Sequence, residues 1–362
     1  MAREANPGQV VGGKYRLTSS LGSGGFGRVW KARDEHLQVD VAIKELWLPP
    51  AQTAAEHTER VVRAAREARN AAKLRDHPNI VTVYEVVTED DRPWIVMQLV
   101  DGCSLEQYLD QHGPLPADRA VRLARALLAA LSAAHRTGIV HRDVKPANVM
   151  ITSDWSVLLT DFGIARHEQD TVMTATGLFI GSPEYAAPER IRGQDGLPAS
   201  DLFSLGVTLF QAIEGLSPFR RDSFMGSLTA VLLDEPPHLK RAGRPLDRLI
   251  SELLHKDPAD RPVLTEALAI LDSPMVDRER QVDNSQQQAA VHWHNEASTV
   301  RAGRHRVDVA AARPSRVPLD VLADQQEAAR RKSRRRKTVQ VLVGGLLLAA
   351  GLGVPVAVRM WH

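Results

Sequence analysis

The chain has 362 residues, 43% of them hydrophobic, which is enough for one large globular core and an appendage. A single cysteine, Cys103, excludes an intramolecular disulfide and a cysteine-built zinc site. The net charge of +2 hides an uneven distribution: seven of the eight residues from Arg330 to Lys337 are basic, which leaves the remainder net acidic.

Residues 1–14 read as a flexible leader, because Met1 to Gly13 has no apolar run of the kind a signal peptide needs. The next segment is rich in glycine: Gly22-Ser23-Gly24-Gly25-Phe26-Gly27-Arg28-Val29. Glycines let backbone N–H groups approach phosphates with no Cβ in the way. Dinucleotide-binding domains use a similar pattern, but there the third glycine opens a helix. Here Arg28 to Ala32 alternates and is rich in strand formers, so a returning strand is expected. Val41-Ala42-Ile43-Lys44 predicts another strand, which would carry the lysine beneath the phosphates. From Glu56 to Arg75 the chain lacks Gly and Pro and predicts a helix. Glu67, flanked by Ala64, Ala68 and Ala71, is the preferred partner for Lys44, with Glu56 and Glu59 as competitors.

The densest chemistry follows. In His141-Arg142-Asp143-Val144-Lys145-Pro146-Ala147-Asn148, and then in Asp161-Phe162-Gly163, two acids, a lysine and an amide stand at spacings suited to phosphoryl transfer. Asp143 can orient a hydroxyl and accept its proton. Lys145 can neutralise phosphoryl charge, and Asn148 and Asp161 offer hard oxygen ligands to Mg2+, or to Mn2+ in its place.

Taken together, these motifs resemble the eukaryotic-type (Hanks-type) protein kinases, from roughly Tyr15 to Leu271, with a pattern similar to bacterial transmembrane serine/threonine kinases. The resemblance implies an α+β bilobal fold, with a small β-rich N-lobe and a larger helical C-lobe. It also implies an ATP site bounded by Leu21, Val29, Ala42 and Met150, with Met97 setting its depth and the backbones of Gln98 and Val100 meeting adenine. Glu189, of Ala187-Pro188-Glu189, would pair with Arg261, and Asp201 would brace the catalytic loop. Ser182 stands where relatives commonly have threonine, so its hydroxyl could still bond Asp143 and Lys145. Thr174 and Thr176, and less strongly Thr171, resemble autophosphorylated positions of an activation segment running from Asp161 to Glu189. Arg142 would clamp the phosphate.

Residues 272–329 are polar and without period, and read as a disordered linker. The basic run 330–337 abuts Thr338 to Val358, 21 residues without a formal charge, which is long enough to cross a bilayer. Lys and Arg beside a span stay on the cytoplasmic side. The expectation is therefore a single-pass protein of the cell membrane, its kinase domain cytoplasmic and a four-residue tail, 359–362, emerging outside. Membrane lipid and Ser/Thr-bearing proteins are the expected partners, homodimerisation is possible and nucleic acid is not expected. The alternative reading is a membrane-tethered pseudokinase scaffold that binds nucleotide without transferring phosphate.

Overall fold

Alternating β-branched and aromatic residues between positions 10 and 97 build an antiparallel sheet. In the computed structural model, which describes residues 5–24, 27–48, 53–162, 182–194 and 196–273, the strands are β1 (Val10–Val11), β2 (Tyr15–Gly24), β3 (Gly27–Asp34), β4 (Val39–Leu46), β5 (Val83–Glu89) and β6 (Arg92–Met97). Their spatial order is β1-β2-β3-β4-β6-β5. The period of two sends Ala42, Lys44, Ile95 and Met97 to one face and Val41, Ile43, Trp94 and Val96 to the other. Both faces are apolar, and each has its own core.

The outer face accounts for one departure from expectation. Residues 5–14 are not a loose leader. Leu17 donates its N–H to the Gln9 carbonyl at 2.9 Å, and its own carbonyl accepts from Gly8 N at 2.8 Å. Val11 is fully buried and Ala5 nearly so, against Trp30, Ile43 and Trp94. Large aromatic side chains on an open sheet face would otherwise meet water, and a short apolar strap covers them at small entropic cost.

Helix α1 (Ala54–Ala71) crosses the inner side. Thr53 caps it, its hydroxyl accepting from Glu56 N at 3.1 Å. The buried stripe is Val61, Ala64, Ala65, Ala68 and Ala71, and small side chains there allow close approach to the sheet. The helix starts two residues before the predicted boundary and ends four before it, passing into a 3-10 turn at Ala72–Leu74.

The second lobe is helical: α2 (Leu105–His112), α3 (Ala117–Arg136), α4 (Pro188–Ile191), α5 (Pro198–Glu214), α6 (Phe224–Leu233), α7 (Arg244–Leu253) and α8 (Leu264–Asp272). A three-stranded sheet of β7 (Gly102–Ser104), β8 (Val149–Thr152) and β9 (Val157–Leu159) carries the functional loops. Helix α5 is its centre, buried without a break from Ser200 to Phe210. An added Cβ on Gly206 would stand 3.0 Å from Leu253 and Leu254, so glycine sets how closely α5 and α7 pack. Polar side chains on this otherwise apolar helix, Asp201, Ser204, Thr208 and Gln211, recur at helical spacing and share one face.

Among the described residues no helix is long and apolar enough to cross a membrane. The linker, basic run, apolar stretch and tail from 274 to 362 lie outside them, as do Gly25, Phe26, Thr171, Thr174 and Thr176.

Candidate active site

The β2–β3 hairpin is the lid, with Gly22 opposite Val29, Ser23 opposite Arg28 and Gly24 opposite Gly27. Its glycines are required for different reasons. A Cβ on Gly27, whose φ is 145°, would stand 1.9 Å from the Glu45 carbonyl oxygen, so this glycine serves the fold. At Gly22 and Gly24 a Cβ would meet nothing within 4 Å. Nothing in the packing of the chain demands glycine there. A group laid against the loop from outside would.

Below the lid lies an apolar pocket. Ala42, Val81, Met97 and Leu158 form a buried cluster, with Val29, Leu99, Val100 and Met150 packed against it. Five residues expected from sequence (Val29, Ala42, Met97, Val100 and Met150) thus converge, while Leu21 stands at the rim, 49% exposed. Val81, Leu99 and Leu158 were missed. Leu158 was accessible from sequence, since it alternates with Val157 and Leu159 in the strand leading to Asp161. Gln98 donates its N–H to the Thr82 carbonyl at 2.9 Å, which leaves its own carbonyl for a ligand edge.

At the pocket's deep end Lys44 Nζ lies 2.7 Å from Asp161 Oδ1. This corrects the expected pairing, because the lysine meets Asp161 and not Glu67. Lys44 lies opposite Ile95 on β6. Glu67 itself is partly buried on α1. Its competitors are used on the helix surface, Glu56 by Arg60 and Glu59 by Arg63.

The catalytic loop is held by its backbone. Asp201 of α5, fully buried, accepts from His141 N at 2.8 Å and Arg142 N at 2.7 Å, while His135 Nε2 meets its Oδ2 at 2.8 Å. Burial opposes its ionisation, but the His135 hydrogen bond and the facing imidazoles outweigh it and hold the carboxyl below its usual range. This support offsets strain: Arg142 has φ 68° and Asp161 φ 66°, conformations that cost side-chain-bearing residues about 1–3 kcal/mol each. Burial depresses the pKa of His141, favouring the neutral ring. Its Nε2 contacts the Thr160 carbonyl at 2.8 Å and Nδ1 accepts from Asp143 N at 3.2 Å, which assigns the tautomer. The same ring packs on Phe162 with centroids 4.5 Å apart, tying the two loops together.

Asp143 emerges with its Oδ2 3.0 Å from both Lys145 Nζ and Asn148 Nδ2. A second bond from Asn148 Nδ2 to the Asp143 carbonyl, at 2.8 Å, fixes the amide's orientation. Among the described residues the hydrogen bond of Ser182 is a backbone one, its carbonyl accepting from Tyr185 N. Behind the site Arg261 grips Glu189 at 2.6 and 2.8 Å, both side chains almost wholly buried. Burial would raise the Glu189 pKa, but the arginine fork and the Ser200 hydroxyl overcome it and lower it.

An apolar slot thus lies between a glycine hairpin and a floor bearing two acids, two lysines and an amide. A family profile described as "Protein kinase domain" matches residues 15–271. Among curated proteins, the chain is 38% identical over 289 residues to serine/threonine-protein kinase pkn3 of Myxococcus xanthus, covering 75% of this chain and 52% of that one. It is 35% identical to PrkC of Bacillus subtilis, covering 70% of this chain and 39% of the relative. For PknD of Mycobacterium tuberculosis the identity is 36%, with 71% and 39% covered. The chain therefore spans about half or less of the length of these relatives. Among solved structures, Rad53 1–466 in complex with AMP-PNP aligns with a TM-score of 0.59 at 26% identity, covering 70% of this chain and 64% of that one. With the family profile running from β2, the first strand of the lid hairpin, into α8, the chain belongs to the protein kinase family, in its serine/threonine branch.

Proposed function

We propose that this chain is a membrane-anchored serine/threonine protein kinase that transfers the γ-phosphoryl group of ATP to protein hydroxyls. The observation that carries this reading is the carboxylate of Asp143, held by Lys145 and Asn148 at the mouth of the slot. A substrate hydroxyl placed against Asp143 is aligned for in-line attack on the γ-phosphorus; it loses its proton to that carboxylate as the new P–O bond forms and the bond to the β–γ bridging oxygen breaks, releasing ADP. Lys145, beside it, offsets charge on the phosphoryl oxygens. Lys44 reaches the α- and β-phosphates, and the backbone of Gly22 to Gly27 covers them from above. Catalysis of this kind is mainly positioning and charge neutralisation.

Asn148 and Asp161 fit a divalent cation, Mg2+ in the first place and Mn2+ as a substitute. Both side-chain hydrogen bonds of Asn148 run from Nδ2, which leaves Oδ1 as its donor to a metal. Among the described residues no cluster of three or more His, Cys, Asp or Glu forms a ready cage. A cation of this kind keeps several waters and binds through one or two protein oxygens plus phosphate. When bound, such an ion neutralises phosphate charge. The Lys44–Asp161 pair shields two opposite charges from each other's absence until phosphate and cation take them up.

The regulatory and membrane parts of the proposal rest on sequence. Thr174 and Thr176, and less strongly Thr171, are the proposed autophosphorylation sites, with Arg142 next to the catalytic acid as the phosphate clamp. Residues 338–358 would span the membrane and 330–337 would lie on anionic lipid, where each basic residue contributes about 1 kcal/mol. Tethering raises effective concentration and favours phosphorylation between neighbours, whether or not they form a homodimer. The test is transfer of labelled phosphate from ATP to a generic protein substrate, followed by phosphopeptide mapping of the chain itself. Lys44→Met and Asp143→Asn should each reduce turnover by at least about 10²-fold with the fold retained. Near-wild-type transfer in either variant would sink the role assignments.

A further inference from the structure

The turn Pro183–Tyr185, near the end of the activation segment, is pinned to α5: Ser204 Oγ donates to the Tyr185 carbonyl at 2.7 Å, and the Tyr185 hydroxyl bonds Gln211. One turn along the same helix from Ser204, Thr208 Oγ1 reaches toward the carbonyl of Val144, the residue after the catalytic acid, at 3.5 Å. The turn and the catalytic loop are therefore neighbours on one support.

Within this turn Glu184 is only 4% exposed. A carboxylate buried there without a partner would be strongly unfavourable. Arg220, from the α5–α6 connection, supplies the partner, with Nε at 2.9 Å and Nη2 at 2.8 Å from the same carboxylate oxygen. Yet the arginine side chain is 60% exposed. One edge of the guanidinium is anchored on a buried acid, and Nη1 on the other edge donates to nothing among the described residues. Anchoring removes much of the rotamer freedom a surface arginine would lose on binding, so the open edge is a preorganised donor for an anion.

Two other cations of these elements are committed: Lys145 is held by Asp143 at 3.0 Å and Arg221 by Asp234 at 2.7 Å. Glu106, in the first turn of α2, is a carboxylate close enough to act on both Tyr185 and Arg220.

We infer that Arg220 is a specificity-determining residue, selecting protein substrates with a single acidic side chain (Asp, Glu or a phosphorylated residue) near the phosphoacceptor hydroxyl. This rests on the protein kinase reading above. The test uses the full chain and a set of serine peptides in an alanine background, scanned with one Asp or one Lys at each flanking position. At one position Asp should raise kcat/KM by about two- to five-fold over Ala, through KM, since an exposed ion pair is worth roughly that factor. The gain should fade in about 0.5 M salt. Arg220→Glu should reverse the preference at that same position toward Lys. Because that variant sets two carboxylates together, the paired variant Glu184→Gln with Arg220→Gln, which leaves no buried charge, is measured beside it and should show no preference. An acidic preference that survives both variants, or none in the wild type, overturns the inference. Absence of transfer to every peptide, the all-alanine one included, would count against the kinase reading itself and take this inference with it.

Discussion

A side chain's value here depends on what its backbone is forced to do. Gly27 and Gly22 lie five residues apart in one hairpin, yet substitution should affect them in opposite ways. Gly27→Ala drives a Cβ into the Glu45 carbonyl and should cost at least about 3 kcal/mol of stability, read as a lowered urea midpoint. Gly22→Ala meets no atom of the described residues within 4 Å. Its midpoint should move by no more than about 0.5 kcal/mol, with the loss appearing as a raised KM for ATP. His141 provides a residue-scale test of pH. Burial depresses its pKa, so below about pH 6.5 the unfolded chain binds the proton and the folded chain resists it. Stability from this group is complete above that pH and falls as the pH drops toward the folded value. The carboxylates depressed in the fold, Glu189 and Asp201, act lower, beneath their unfolded values near 4. Unfolding midpoints between about pH 5 and 7 should therefore decline in the wild type and flatten in His141→Gln.

At the scale of elements, the pair behind the site deserves the sharpest test. Arg261 and Glu189 join the loop before α8 to the start of α4, and Ser200 adds α5. Removing one partner leaves a buried charge, so Arg261→Ala should cost about 3–5 kcal/mol. Glu189→Gln with Arg261→Met should cost less than the single change, and the difference is measurable in a double-mutant cycle. This pair was legible in the sequence because both members sit in short motifs. The partner of Lys44 was not. Choosing among Glu56, Glu59, Glu67 and Asp161 requires the direction of a side chain leaving a strand, which depends on register with β6. The pocket walls divide in the same way. Val29, Ala42 and Met150 flank motifs, whereas Val81 comes from an irregular stretch tied to β9 by hydrogen bonds, among them one from its N–H to the Leu159 carbonyl.

For the molecule as a whole, the apolar outer face of the first sheet was the part sequence reading passed over. Residues 5–14 are polar enough to look like a leader, and only the aromatic pair Trp30 and Trp94 across the sheet makes their burial necessary. Deleting residues 1–13 uncovers that face and removes the contacts of Val11 and Ala5, a loss of about 2 kcal/mol by area. Calorimetry should show the transition lowered by roughly 4–8 °C, with catalytic residues and their chemistry untouched. A truncated chain that melts at the wild-type temperature would show the strap to be dispensable.

Helix α5 works like a keyed shaft. Asp201, Ser204, Thr208 and Gln211 engage the catalytic loop and the turn near the end of the activation segment from a single angular setting. Each residue advances about 100° around the axis, so inserting one alanine before Asp201 would swing all four away from their slots at once. Activity and folding of that lobe would then fail together, without any of the reacting groups having been altered.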